Sequence, residues 1–205
     1  MSRKVYVIRH GETYWNHEGK MQGQTDAPMN DTGRAQAAEL ARELKELIHF
    51  DIIVSSHLSR AKETAEIIAG SYNTPVKIDP GFSEMGYGDW EGMSFAELRL
   101  KWPGEMRAWQ ERGDFRGPGG ETVESLIDRV WKSFRYWADT QEYQNMAIVT
   151  HGSAGRALMC KLIGENPRAL NQYALDNAFY YVVTVIGKGA YSIEDKASIR
   201  RVIRR

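Results

Sequence analysis

The chain has 205 residues, of which 42% are hydrophobic and 26% are charged, and this length suits a single domain over residues 1–205. Its 27 basic and 27 acidic side chains give a formal net charge of zero, which argues against a general nucleic-acid-binding protein because no excess of positive charge is available for phosphate backbones. The single cysteine, Cys160, rules out an intramolecular disulfide and every multi-cysteine metal site.

The hydrophobic pattern predicts strands and helices that alternate along the chain. In chain order, these are a strand at residues 5–8, a helix at 35–48, a strand at 51–54, a helix at 59–70, a strand at 76–78, a helix at 121–138, a strand at 146–149, a helix at 154–163 and a strand at 180–186. Asp31 or Thr32 is the predicted cap of the first helix. No apolar run is long enough to cross a bilayer, and the apolar run near the N-terminus is too short for a signal peptide. We therefore expect a soluble, cytoplasmic protein.

Residues 86–120 interrupt this alternation, because they are rich in glycine and proline. A short helix is predicted over residues 94–101, and the rest of the segment is predicted to be a lid-like insertion. We interpret its tryptophans, Trp90, Trp102 and Trp109, as packing residues of this lid.

Alternating strands and helices predict an α/β fold, a three-layer sandwich in which a mostly parallel sheet carries helices on both faces. In such folds, ligands bind beyond the carboxyl ends of the strands. The first, second and fourth predicted strands are followed by Arg9-His10-Gly11, Ser55-Ser56-His57 and Thr150-His151-Gly152. We therefore expect polar, mostly basic groups to meet at one edge of the sheet.

The first of these clusters has the chemistry of phosphoryl transfer. An imidazole such as that of His10 is a competent nucleophile toward phosphorus when its attacking nitrogen is unprotonated. The adjacent guanidinium of Arg9 opposes protonation of the ring and offers a planar fork for phosphate oxygens. Asn16 adds a neutral donor. The alternative is a structured turn with a hydrogen-bonded histidine, which we consider less consistent with the whole string.

The motifs resemble those of the histidine phosphatase superfamily, which includes cofactor-dependent phosphoglycerate mutases and many small-molecule phosphatases. The resemblance extends from residue 5 to about residue 160, through segments at residues 9–16, 21–28, 33–37, 56–65, 84–92, 118–122 and 150–152. The segment between Glu84 and Glu121 is shorter than expected of a phosphoglycerate mutase, which favours the phosphatase branch. Asp176-Asn177-Ala178 is also similar to a segment of some phosphoserine phosphatases.

This resemblance implies roles for individual residues. His10 would accept the phosphoryl group, while Glu84 would protonate the leaving alkoxide and then take a proton from water. Arg9, Arg60 and His151 would surround the phosphoryl oxygens. Further contacts with phosphate or substrate are expected from Gly11, Asn16, Gln22, Gly23 and Gly152. We expect Glu84 to be poorly solvated in the ligand-free pocket, and we expect neither a metal ion nor another cofactor.

The expected function is therefore hydrolysis of small phosphomonoesters through a phosphohistidine on His10. A cofactor-dependent phosphoglycerate mutase is the alternative, and a non-catalytic protein that binds a phosphorylated ligand is a more remote one. The expected partner is a small phosphorylated metabolite rather than nucleic acid or membrane, and a homodimer is left open. His57 occupies a position where related chains usually have proline. The basic tail, with Arg200, Arg201, Arg204 and Arg205, is expected to be a solvated end.

Overall fold

The computed structural model describes residues 2–112 and 116–194. The basic tail discussed above lies outside these ranges. Within them, no helix combines the length and the apolar character that a membrane span requires.

A six-stranded sheet forms the centre of the described part of the chain. Its strands are β1 (Arg3–Arg9), β2 (Ile52–Ser55), β3 (Val76–Ile78), β4 (Asn145–Thr150), β5 (Tyr180–Gly187) and β6 (Ala190–Ile193). They are arranged in the order β3-β2-β4-β1-β5-β6. The first four of this order are parallel to one another, whereas β5 and β6 are antiparallel to their neighbours. The predicted α/β fold with a mostly parallel sheet is confirmed.

The helices cover both faces of this sheet. They are α1 (Tyr14–His17), α2 (Asp31–Leu47), α3 (Ser59–Gly70), α4 (Phe95–Lys101), α5 (Pro103–Arg112), α6 (Val123–Thr140) and α7 (Gly152–Ile163). In β1, Tyr6 and Ile8 belong to the core that includes α2 and α3, whereas Val5 and Val7 belong to the core that includes α6 and α7. Because alternate residues of a strand face opposite sides of a sheet, a strand covered on both sides must be apolar throughout.

The predicted elements and the observed ones differ mainly at helix ends. Asn30, rather than Asp31 or Thr32, caps α2, because its side chain accepts a hydrogen bond from the Gly33 N–H. The predicted cap is therefore wrong by one or two residues. Helices α1 and α5 and strand β6 were not predicted, since α1 and β6 are four residues long and α5 begins with a Pro-Gly pair.

The segment predicted to be a lid packs on the core that includes α6 and α7. Trp90 is fully buried there, and Trp109, which is 5% exposed, stacks on Phe95 with ring centroids 5.8 Å apart. Trp102 packs against the same core from a half-buried position. Aromatic packing therefore anchors α4 and α5, which lie beside the carboxyl end of the sheet.

Two glycines hold the loop after β1 against the start of α2. A Cβ atom at Gly33 would lie 2.1 Å from the Glu12 carbonyl oxygen, and one at Gly11 would lie 2.3 Å from the Gly33 carbonyl oxygen. Both distances are far below van der Waals contact, so the two backbones can approach this closely because neither residue has a side chain. This contact fixes the loop that follows His10.

We expect Gly33→Ala to lower the free energy of unfolding by about 2–4 kcal/mol, because the added methyl group must push backbone atoms apart. Urea unfolding would measure the change. Gly70→Ala is the matched control, since Gly70 ends α3 with no atom within 4 Å of the new methyl group, and its stability should stay within about 1 kcal/mol of wild type. Wild-type stability of Gly33→Ala would contradict the close packing described here.

Candidate active site

A cavity of about 300 Å³ opens at the carboxyl edge of the parallel strands. Strands β2, β4 and β1 are neighbours in the sheet, so the residues that follow them meet at this edge. Of the predicted site residues, the cavity is lined by Arg9, His10, Asn16, Gln22, Gly23, Arg60, Glu84 and Gly152. The structure thus brings together residues from five separate parts of the chain, as expected from the strand ends.

His151 and Gly11, the other two predicted site residues, lie behind this wall. The His151 ring is fully buried with its centroid 5.2 Å from that of His10, and its Nε2 lies 2.9 Å from the Ser56 hydroxyl. The Gly11 N–H donates to the Thr64 hydroxyl at 3.1 Å. Gly11 therefore supports the His10 ring beside it, and its N–H group is hydrogen-bonded to Thr64 rather than directed at a ligand.

His10 is held in one tautomer. Its Nδ1 lies 2.7 Å from the Gly11 carbonyl oxygen, and because a carbonyl can only accept, this hydrogen bond requires the proton to be on Nδ1. Burial lowers the pKa of His10 well below its usual value, and the Arg60 and Arg9 guanidiniums lower it further. The ring is therefore neutral, with an unprotonated Nε2.

Arg60 is a fully buried cation held by main-chain carbonyls. Its Nη2 donates to the Gly23 carbonyl at 2.7 Å, and its Nη1 donates to the Thr25 carbonyl at 2.9 Å. Burial lowers the pKa of Arg60, while the Glu84 carboxylate opposes this effect. The guanidinium is thus fixed at the cavity wall by the loop that contains Gly23.

Glu91 in turn holds that loop. Its Oε1 accepts hydrogen bonds from the N–H groups of Gln24 and Tyr87, and its Oε2 accepts one from the Thr25 N–H. Gly23 has a positive φ of 57°, and a Cβ there would lie 1.9 Å from Glu91 Oε1. Glu91 therefore braces the loop, and it does not line the cavity among the described residues.

Four buried nitrogen atoms at this edge have no hydrogen-bond partner in the described part of the chain: Asn171 Nδ2 and, close to His10, Arg9 Nε, Arg60 Nε and His151 Nδ1. Arg9 also donates from Nη1 to the Leu175 carbonyl at 2.8 Å. Burial lowers its pKa to about 10, with a further contribution from Arg156. Since buried polar groups are nearly always paired, three unpaired nitrogens around one neutral histidine fit a ligand rich in acceptor oxygens.

Glu84 lies at the N-terminus of α7. It is 8% exposed, in line with the expected poor solvation. Its carboxylate accepts hydrogen bonds from the backbone N–H groups of Met85, Ser153 and Ala154, at 2.9–3.2 Å. The start of a helix favours a negative group electrostatically. The carboxyl group is therefore fixed in position next to Gly152, which lines the cavity.

Arg129 fixes the main chain of Glu84 and was missed by the sequence reasoning. It pairs with both carboxylate oxygens of Glu121 at 2.8 Å, and its remaining donors reach the carbonyls of Gly81, Ser83 and Glu84. Its position within a helical stripe gave no signal of this role. Glu121 precedes Thr122, the N-cap of α6, so helical spacing does not predict its contact with Arg129.

Other residues of the wall were also missed. Tyr87 is buried with its hydroxyl 2.7 Å from that of Ser153, which also accepts a hydrogen bond from Arg156. Asn177 donates to the His10 carbonyl and to the amide oxygen of Asn16. Asn177 belongs to the segment 176–178, which is similar to a segment of some phosphoserine phosphatases, and it supports the loop of His10.

His57, the unusual residue after Ser56, is exposed and does not line the cavity in the described structure. Its Nδ1 lies 2.9 Å from the Ser83 hydroxyl, which itself donates to the Pro80 carbonyl. His57 therefore contacts the chain just before Glu84 from outside the site.

Comparisons with known proteins place these motifs in context. The family model described as "Histidine phosphatase superfamily (branch 1)" matches residues 5–194. The chain is 38% identical over 163 residues to the uncharacterized phosphatase PhoE of Bacillus subtilis, covering 80% of this chain and 79% of that protein. It is 34% identical over 187 residues to phosphoserine phosphatase 1 of Hydrogenobacter thermophilus, covering 88% and 85%. The solved structure of Bacillus stearothermophilus YhfR is similar with a TM-score of 0.87 and 28% identity, over 95% of this chain and 96% of that one.

The two buried histidines make the stability of the fold depend on pH. Burial holds the pKa values of His10 and His151 well below 6.5 in the folded state, so in acid the unfolded chain binds protons that the folded chain does not. Their contribution is present above about pH 6.5 and is lost as the pH falls. We expect the free energy of unfolding to drop by up to about 1.4 kcal/mol per histidine for each pH unit below 6.5.

Urea unfolding at pH 7.5 and pH 5.5 would measure this drop. His10→Gln should show a clearly smaller drop than wild type, whereas His49→Gln, at an exposed histidine, should show the wild-type drop. Equal drops in His10→Gln and wild type would mean that His10 is not held neutral by its surroundings.

Proposed function

Because the chain belongs to the histidine phosphatase superfamily, we propose that it hydrolyses small phosphomonoesters through a phosphohistidine on His10, without a metal ion. The observation that carries this proposal is the neutral His10 ring beside unpaired nitrogens of Arg9 and Arg60. A nucleophile with a free lone pair and cationic donors with unused capacity are the two requirements for transfer of a phosphoryl group.

In the first half-reaction, His10 Nε2 attacks phosphorus while the bond from phosphorus to the ester oxygen breaks. Charge on the transferring group spreads over its equatorial oxygens. Arg9 and Arg60 stabilise these oxygens from the cavity wall, and His151 does so from behind it through its unpaired Nδ1. The leaving alkoxide takes a proton from the carboxyl group of Glu84. The products of this step are an alcohol and a phosphohistidine.

In the second half-reaction, the Glu84 carboxylate takes a proton from a water molecule. The resulting hydroxide attacks phosphorus, the bond from phosphorus to His10 Nε2 breaks, and inorganic phosphate leaves. The hydrogen bond from Nδ1 to the Gly11 carbonyl supports both steps, because it keeps the proton on the far nitrogen. Asn16 and Gln22 are proposed as neutral donors to the phosphoryl oxygens, and Gly23 and Gly152 as the backbone walls beside them.

A phosphoglycerate mutase would share the first half-reaction and use a retained phosphorylated acceptor instead of water. We rank it second because the segment between Glu84 and Glu121 is short. A protein that only binds phosphorylated ligands is a weaker candidate, since His10 and Glu84 are both present and both border one cavity.

Substitutions of His10 and Glu84 should have different effects. His10→Ala should abolish turnover of every substrate. Glu84→Gln should slow hydrolysis of an alkyl phosphate by about 10²–10⁴-fold, because a basic alkoxide needs a proton to leave. The burst of nitrophenolate from para-nitrophenyl phosphate should fall much less, since nitrophenolate leaves without one. Rapid mixing would measure the burst, beside steady-state turnover of the alkyl ester.

Glu91→Gln is the matched control, because Glu91 braces the loop that holds Arg60 and does not border the cavity among the described residues. Weakening that loop should slow the first step with both substrates by similar factors. If Glu84→Gln instead reduces the burst as much as the alkyl turnover, Glu84 is not the proton donor.

A further inference from the structure

Arg156 is a charged residue of the cavity wall that the proposed chemistry does not use. It lies one turn into α7 and is half-buried. Its Nε donates to the Gly152 carbonyl at 2.9 Å, its Nη2 donates to the Ser153 hydroxyl at 3.1 Å, and its Nη1 makes a long contact of 3.5 Å with the Tyr173 carbonyl. A guanidinium has five N–H donors, so this set leaves capacity for a further acceptor.

Three guanidiniums of this cavity form no ion pair with a carboxylate of the described residues. Within the described residues, Arg9, Arg60 and Arg156 take part in none of the ion pairs. The fourth cation of the wall, Lys20, differs because its Nζ lies 2.7 Å from a Glu18 carboxylate oxygen. Arg156 is thus an unpaired positive charge close enough to Arg9 to lower the pKa of the latter.

The charge balance of the substrate complex calls for a third negative charge. A phosphomonoester dianion compensates two of the three guanidiniums, and Glu84 is uncharged when it serves as the proton donor. The other carboxylate of the wall, Asp176, is exposed, and its charge opposes the lowering of the pKa of Arg9, so Arg156 is the guanidinium left for a further negative group. A partly buried cation without a counter-ion is unfavourable, and a singly charged group on the substrate would compensate it.

Arg156 lies on the side of the leaving group. Glu84, which would protonate the leaving oxygen, accepts a hydrogen bond from the Ser153 N–H, and Arg156 donates to the hydroxyl of the same residue. Arg156 is four residues after Gly152, which corresponds to about 6 Å along the helix. This spacing suits a charged group a few bonds away from the ester oxygen.

We propose that Arg156 binds a carboxylate of the leaving group, so that the preferred substrates are short phosphorylated hydroxy acids and amino acids. The proposal rests on the phosphomonoesterase function above. A carboxylate matches the planar guanidinium, and its single charge fits the balance better than the double charge of a second phosphate.

Four substrates separate the carboxylate from other features of the leaving group. Phosphoserine carries the carboxylate, and its partner phosphoethanolamine lacks it; both have an ammonium group. Likewise, 3-phosphoglycerate carries the carboxylate, and its partner glycerol 3-phosphate lacks it; both have a hydroxyl group. Release of inorganic phosphate would give kcat/KM for each. In wild type, both carboxylate substrates should exceed their partners by about 10-fold or more, the size expected of one hydrogen bond between charged groups.

Arg156→Gln should reduce this preference to about 3-fold or less, and Arg156→Lys should retain part of it. Lys20→Gln should keep the wild-type preference, because Lys20 is already paired with Glu18. Turnover of para-nitrophenyl phosphate, which has no carboxylate, serves as the reference in every variant.

The outcomes distinguish failure of the proposed role of Arg156 from failure of the proposed phosphatase function. Absence of a carboxylate preference in wild type, or a preference that survives in Arg156→Gln, would overturn the role of Arg156 while His10-dependent turnover of para-nitrophenyl phosphate leaves the phosphatase function intact. Loss of that His10-dependent turnover would overturn the phosphatase function and this inference together.

Discussion

Positive charge that no carboxylate of the described residues neutralises in a direct ion pair is the constraint around which the cavity is built. Buried guanidiniums are unfavourable unless their donors are paired, and here main-chain carbonyls provide much of that pairing. Arg60 depends on the carbonyls of Gly23 and Thr25, and Arg9 depends on that of Leu175. These contacts hold the cations in place without neutralising them, which leaves their charge for the proposed phosphoryl group and keeps the His10 ring neutral.

The surrounding carboxylates act mainly as braces under this arrangement. Glu91 fixes the loop under Arg60, and Glu121 orients Arg129, whose guanidinium holds the carbonyl of Glu84. Glu84 is the exception, because its carboxylate borders the cavity and is held by N–H groups at the start of α7. Main-chain N–H groups hold Glu91 as well as Glu84, so the position at the cavity, rather than the type of donor, sets Glu84 apart.

Much of the fold and of the cavity wall could be predicted from the sequence, because strands buried on both faces are apolar throughout and polar clusters follow them directly. The meeting of His10, Arg60 and Glu84 at one edge followed from this pattern together with the resemblance to the superfamily. The cap of α2 could not be predicted, since Asn30 and Asp31 are both good capping residues and backbone geometry selects between them. The roles of Arg129 and Arg156 depend on contacts across the fold, and in the sequence both are arginines of a helical segment.

The central claim is that His10 carries the phosphoryl group without help from a metal ion. It is tested most directly by mixing the protein with a phosphate-labelled substrate in EDTA, quenching at alkaline pH, where a phosphohistidine survives, and mapping the label by peptide mass spectrometry. The account predicts label on the peptide that contains His10, and none in His10→Ala. Turnover without a covalent label, label on another residue, or label that forms only after Mg²⁺ is added would contradict it.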